Sequence, residues 1–460
     1  MRHHAPARRW SSRALGLTTA VAVLSLAACA PGSDTAAEPA ASGGPDGEIQ
    51  TDISGLGDVT LTVWDQEVRG GQNEQIEQLN AAFEEANPNV TIERVSQSFD
   101  DLATTLRLAL TDDEAPDVVQ ANNGRNTMGA FVEADQLVPL NAYAEAYGWY
   151  DRYSESVLQY STYSEDGATF GEGNVYGLPQ VGEVVGIYYS KSKLDELGIE
   201  VPTTWADFEA ALETASAAGE IPIQLGNIEG WPAGHVFGPL QGNFADPAEI
   251  TDLGLGNEGA SWTTAENEAA ATTLQGWVDA GYFNPGVNGT DYDAAWQALT
   301  TGDGVFLIGG SWLAADIADA MGDDVGFFVP ESEDGSLATT GGTGLPFAVT
   351  TGAENPDVAA AYIDFITSDD AMEVIAETGN LPVNRTAELA PTEGLQQDVY
   401  GVFGEVSENG ALLPYLDYAT PTMGDTLNQA LQNLLAGEVT PAEFTEALES
   451  DYGQFVSSAG

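Results

Sequence analysis

Between Val59 and Gln120 the hydrophobic period switches repeatedly between two residues and about 3.6. Val59, Leu61 and Val63 alternate with Thr60 and Thr62 and run into Trp64, which reads as a strand. Ile76, Leu79 and Phe83 then share one helical face, and Asn87-Pro88 stops it. Val90-Thr91-Ile92 predicts a second strand, Leu102 to Leu110 a helix, and Pro116-Asp117-Val118-Val119-Gln120 a third strand. Strands that alternate with helices are joined by crossovers, so they lie parallel and bury both sheet faces under helices. The rhythm returns with a strand at Val184 to Tyr189 and a helix capped by Thr203-Thr204. That helix carries Trp205, Phe208 and Leu212 and ends at Gly219, before a strand at Ile221 to Gln224. Val305 to Ile308 and Phe347 to Val349 are further short strands, and the stretches from Pro356 to Tyr362 and from Thr426 to Leu448 read as helical. With no internal repeat, the fold class is α/β, and about 430 residues beyond the leader suit two or three domains or lobes, of which two fit the rhythm.

Charge excludes whole classes of partner. Lys and Arg number 12 against 72 Asp and Glu, and four of the cations (Arg2, Arg8, Arg9, Arg13) precede any acid. Without that leader the net charge is −64, which repels phosphate backbones and anionic headgroups, so nucleic acid is not expected as a partner. A hydrophobic content of 43% with nine Trp still supplies a large core. The one Cys, Cys29, excludes an internal disulfide and a Cys-based metal cluster. Of three His, only His235 lies beyond the leader, so a two-His metal site is not expected, and no cofactor is expected either.

Residues 1–28 read as a signal peptide: a basic start, an apolar run from Ala14 to Leu26, and Leu26-Ala27-Ala28 before Cys29. Leu-Ala-Ala-Cys is similar to the bacterial lipobox, which makes Cys29 the expected lipidated residue, where two acyl chains would give stable anchoring; the other reading is an ordinary signal peptide with an incidental Cys. Arg8-Arg9 is a loose twin-arginine match, and general secretion is the default. Residues 29–57, rich in Ala, Gly, Pro and acids, form a flexible tether. The expected location is the outer face of the cell membrane.

Three motif matches fail on context. Gly254-Leu255-Gly256-Asn257-Glu258-Gly259 fits the dinucleotide fingerprint but follows no buried strand, so a loop is expected. Ser190-Lys191-Ser192-Lys193 fits Ser-x-x-Lys, yet these are the only lysines, so no Lys-Thr-Gly partner exists and a helix start is expected. Asp291 and Asp293 lack the remaining ligand spacing of a calcium loop and suit a helix start.

The aromatics carry more. Trp64, Trp149, Trp231 and Trp312 fall at strand ends or in Gly- and Pro-rich loops, whereas Trp205, Trp262, Trp277 and Trp296 fall in helical segments and suit packing. Sugars offer flat C–H faces and a rim of hydroxyls, which call for aromatic plates with carboxylates and amides around them. Gly309-Gly310-Ser311-Trp312 follows an apolar strand, and Gly310 is expected to let a ligand approach the backbone.

Six blocks, in order, carry a family resemblance: Val59 to Trp64 with its helix; Ala115 to Gln120; Tyr176-Gly177-Leu178-Pro179 leading into Gly186 to Lys191; Pro202 to Phe208; Gly309 to Trp312; and Asn380-Leu381-Pro382-Val383-Asn384. With them the chain resembles the extracellular solute-binding proteins of ABC importers, of the carbohydrate-binding type. The resemblance implies the two-lobe, type II periplasmic-binding-protein-like fold, each lobe a mainly parallel sheet flanked by helices. It places the first lobe at 58–182 plus 343–384 and the second at 183–342 plus 385–460. It implies a carbohydrate ligand, mono- or oligosaccharide, permease subunits as partners, a monomer and no catalysis. Carried over residue by residue, it gives Trp312 as the stacking aromatic, Glu183 as a carboxylate at the first crossing, and Asn122 and Asn123 as polar contacts after the third strand. Gln66 and Glu67 after the first strand, Asn227 and Trp231 in a second-lobe loop, Gly310, and Arg125 complete the set, with a structural ion pair as the other reading of Arg125. The alternatives are a non-sugar solute in the same fold and a secreted glycoside hydrolase, which needs two carboxyls about 5–9.5 Å apart.

Overall fold

The computed structural model describes residues 49–111, 115–332, 335–409 and 411–459. Cys29 and the leader, with their expected lipidation and cleavage, lie outside these residues. Twelve strands occur among the described residues: β1 (Val59–Asp65), β2 (Val90–Ser96), β3 (Val118–Gln120), β4 (Thr162–Tyr163), β5 (Asn174–Val175), β6 (Gly182–Ser190), β7 (Ile223–Gln224), β8 (Phe306–Gly310), β9 (Val325–Phe328), β10 (Thr339–Thr343), β11 (Phe347–Val349) and β12 (Leu412–Leu413).

The first sheet has the order β11-β3-β1-β2. As the hydrophobic rhythm predicts, β1 is parallel to both β2 and β3, and β11 returns antiparallel against β3. Leu61 and Val63 of β1, Val118 of β3 and Phe347 of β11 are fully buried, against Ile76, Leu79 and Phe83 of the helix Gly70–Ala86 and the helix Pro356–Ile366. Trp149 sits in this core and donates Nε1 to Asp364 at 2.9 Å, so it packs and takes no part in a surface site.

The second sheet has the order β12-β10-β6-β8-β7, with β9 also along β6. Here the sheet is mixed where a mainly parallel one was expected. β7 is parallel to β8 and β10 to β12, but β6 runs antiparallel to β8, β9 and β10. The reason is topological: β6 follows the two-stranded β4–β5 sheet through residues 176–181, with no crossover helix from a strand of its own sheet to fix its direction. Thr204 closes a capping box with Asp207 at the start of the helix Trp205–Ala218, and Gly219 ends it in the left-handed conformation. Asp291 caps Tyr292–Thr300, and Ser190 caps Lys191–Leu197, as read from sequence. The false dinucleotide fingerprint is the last turn and left-handed Gly256 cap of the helix Pro247–Leu255.

The chain passes between the sheets in three segments that lie side by side. Leu178 and Phe347 exchange backbone hydrogen bonds of 3.0 and 2.9 Å, Gly344 N–H donates to Val181 O at 3.0 Å, and Gly182 N–H donates to Leu381 O at 2.9 Å. Two lobes, each with its own sheet and helices, are thereby joined by a narrow stitched band. No helix among the described residues is long and apolar enough to cross a membrane.

Phe347 ties the first core to this band. Phe347→Ala is expected to cost about 3–5 kcal/mol of unfolding free energy by cavity formation, read from urea denaturation. A loss below about 1 kcal/mol contradicts this placement.

Candidate functional site

On the first lobe, the turn after β1 is locked from below. Asp65, fully buried, takes a two-pronged ion pair from Arg94 on β2, with Nε to Oδ2 at 2.6 Å and one terminal nitrogen to Oδ1 at 2.7 Å. The same guanidinium donates to Glu67 O at 2.7 Å. Gln120, at the end of β3, accepts from Gln66 N–H at 2.8 Å and donates to Glu67 Oε1 at 2.7 Å. Glu67 is thus aimed into the seam between lobes with one oxygen held, while its Oε2 is buried without a hydrogen-bond partner. Burial pushes its carboxyl up to about 7, and Gln120 only partly offsets this.

On the second lobe, Glu183 lies one residue inside β6, so its position is fixed by the crossing band. Tyr415 donates its hydroxyl to Glu183 Oε2 at 2.8 Å. Burial raises Glu183 to about 8, the Tyr415 bond lowers it in part, and the nearby Glu67 charge adds to the rise. Beside it stands an aromatic wall. His235 lies 5.7 Å from Tyr415, 5.0 Å from Trp312 and 5.2 Å from Trp231, and Trp231 lies 4.6 Å from Tyr292, ring centre to ring centre. Trp312 Nε1 donates to the Tyr292 hydroxyl at 2.9 Å, which fixes the indole plane. Burial holds His235 neutral, down at about 3, and its Nδ1 is unpartnered.

The lobes meet through polar and aromatic contacts. Arg69 donates to Asp293 at 3.0 Å and lies 5.7 Å over the Tyr292 ring. Phe99 meets Trp231 edge to face at 5.9 Å. Buried carboxylates and amides here can accept from hydroxyls, the guanidinium can donate to them, and the facing indole and phenol rings can stack on apolar faces.

The structure brings Trp312, Trp231, Glu183, Glu67 and Gln66 together around this seam. Asn123 joins a neighbouring stretch of it: its Nδ2 donates to Tyr160 O at 2.8 Å and its Oδ1 accepts from Tyr418 at 3.4 Å. Asn122 uses its Oδ1 on Asn123 N–H at 3.0 Å, a turn bond. Three expected residues do other work. Asn227 is fully buried, with Oδ1 capping Ala233 N–H and Nδ2 donating to Asn288, both at 2.9 Å, so it holds its own loop. Gly310 makes room for the Trp312 ring, which a Cβ there would overlap, and not for a ligand. Arg125 has no carboxylate within ion-pair distance among the described residues. It donates to Ala168 O at 2.8 Å and Leu255 O at 3.2 Å and lies 4.8 Å over Phe455, strapping the lobes together.

Sequence reasoning missed Arg69, Gln120, Tyr292, His235 and Tyr415. Arg69 had a signal in the scarcity of cations; Tyr415 is 232 residues from Glu183 and had none. Among the described residues, no group of three or more His, Cys, Asp and Glu is arranged to hold a metal ion.

The chain belongs to the family of bacterial extracellular solute-binding proteins, whose pattern matches residues 70–373. Among its relatives, the multiple sugar-binding protein of Streptococcus mutans is 23% identical over 314 residues, 65% of this chain and 70% of that one. The maltooligosaccharide ABC transporter solute-binding lipoprotein of Streptococcus pneumoniae is 26% identical over 395 residues, 82% and 81% respectively. Among solved structures, a chitin oligosaccharide binding protein superposes with a TM-score of 0.74 at 25% identity, covering 87% of this chain and 99% of its own.

Because burial raises Glu183 to about 8, folding takes up a proton there, and the associated stability is present below the unfolded value near 4.5 and lost as pH rises through 8. Denaturation midpoints should therefore fall between pH 5 and 8, and Glu183→Gln should flatten that fall relative to wild type. Parallel profiles would contradict the burial of this carboxyl.

Proposed function

We propose that this chain is the substrate-binding component of an ABC importer, capturing a sugar or oligosaccharide between its lobes and handing it unaltered to membrane permease subunits. The observation that carries this reading is the pairing of two buried carboxyls, Glu67 and Glu183, with a wall of Trp231, Tyr292, Trp312 and Tyr415 on the opposite lobe or at the crossing. Plates suit sugar faces and the carboxyls suit hydroxyls. The names of the relatives, which speak of sugars and maltooligosaccharides, support the same ligand class.

In this reading residues 58–182 with 343–384 move against 183–342 with 385–460 about the stitched band, and the ligand favours the closed arrangement because only there does it touch both lobes. The Cys29 lipid anchor and a tether hold the monomeric protein at the outer face of the cell membrane beside its permease. The tether is shorter than the 29–57 read from composition, because Ile53 is buried in the first core and Asn89 donates to Ile53 O and Leu56 O at 3.1 and 3.2 Å.

Calorimetry and tryptophan fluorescence against a panel of mono- and oligosaccharides, amino acids and polyamines test the ligand class, and new reducing ends on incubation with oligosaccharides would mark a hydrolase instead. With a bound sugar in hand, Trp312→Ala should weaken binding about ten- to a hundredfold, about 1.4–2.8 kcal/mol, without loss of fold. Unchanged affinity removes Trp312 from the contact surface.

A further inference from the structure

The charge balance of the seam narrows the carbohydrate's chemistry. Arg69 is faced by carboxylates from four elements: Glu67 from its own turn, Asp100 from the helix Phe99–Ala109, Asp293 from Tyr292–Thr300, and Asp316 from Ala314–Met321. Glu183 and Glu229 line the same seam, Glu229 within reach of Asp100. The other guanidinium nearby, that of Arg94, is already engaged by Asp65 through both of its prongs. Six carboxyls in this seam therefore share the Arg69 guanidinium, which is itself paired with Asp293.

An acidic cluster alone says little, but two features aim this one at a ligand. Glu67 is 4% exposed, and its Oε2 has no partner although Gln120 and Gln66 hold the other oxygen in place. An acceptor fixed in this way and left unmatched fits a donor brought from outside. Tyr415 donates to Glu183 at 2.8 Å and is joined through His235 to the rings of Trp312, Trp231 and Tyr292, and the faces of such rings attract cations. A neutral hydroxyl matches an acceptor but brings no charge, whereas an ammonium brings three donors and a positive charge that draws the raised pKa values of Glu67 and Glu183 back down, so that both carboxyls ionise as it binds. We propose that the seam binds a carbohydrate carrying a protonated amine, an amino sugar or an oligosaccharide of one, with its nitrogen at Glu67 and Glu183 and its ring against the indoles.

This inference rests on the carbohydrate reading, and its test separates the two. The mature protein is titrated calorimetrically at pH 6.5 with matched series of α- and β-1,4-linked oligosaccharides. In each series the same position carries a free amine, an N-acetyl group or a hydroxyl, and spermidine serves as an amine without a sugar. The amine-bearing sugar should bind at least about tenfold more tightly than both neutral counterparts. Glu67→Gln should erase most of that preference while changing the neutral sugar's affinity less. A neutral sugar bound equally well or better overturns the amine assignment and leaves the sugar-capturing function standing. Spermidine bound more tightly than every sugar, or no sugar bound at all, overturns both.

Discussion

Taking a carboxylate out of water is costly unless a partner replaces the lost hydration, and Glu67 and Glu183 are both held out of water where two lobes meet. Much of the surrounding architecture serves to keep them there. The Asp65–Arg94 pair pins the turn that carries Glu67, Gln120 grips one of its oxygens, and the crossing band fixes Glu183 at the root of β6. Their raised pKa values are the signature of that cost. In the proposed reading, a solute that donates to both recovers part of that cost.

In the proposed reading, the same arrangement links binding to lobe motion. The band is thin, a few backbone hydrogen bonds among 178–183, 343–347 and 380–383, so it tolerates rotation that neither lobe core would. Contacts across the seam are of a different kind: one ion pair from Arg69, the Arg125 strap onto Leu255 and Phe455, and edge-to-face rings. Polar contacts with half-exposed partners such as Asp293 are individually weak, so a ligand spanning the seam can tip the balance between open and closed arrangements.

The first lobe was legible because its strands obey period two and its helix obeys 3.6, and β1, β2, β3 and β11 all fall where that pattern places them. Caps were legible for the same local reason, as at Thr204 and Asp291. The second sheet was harder. Thr339–Thr343 contains Thr and Gly alone and shows no apolar alternation, yet forms β10, because Gly341 lets the backbone of β6 come close. Trp231, Trp312 and Glu183 were found through the company they keep in sequence. Tyr415, Tyr292 and His235 were not, since what makes them neighbours is the tertiary fold. Gly310 and Asn227 were read as ligand contacts when each supports something beside the ligand, an indole ring and a loop. Side-chain hydrogen bonds of that kind leave no trace in spacing.

The central claim is that solute capture draws the two lobes together, and an interlobe distance measures it most directly. Tyr150 on the first lobe and Val201 on the second are both exposed, so Tyr150→Cys and Val201→Cys, with Cys29→Ser removing the chain's one native thiol, give two spin-label sites. Pulsed dipolar spectroscopy should show a broad or longer distance distribution without solute and a shorter, narrower one at saturation with the sugar identified by titration. An unchanged distribution at full occupancy would contradict the clamp.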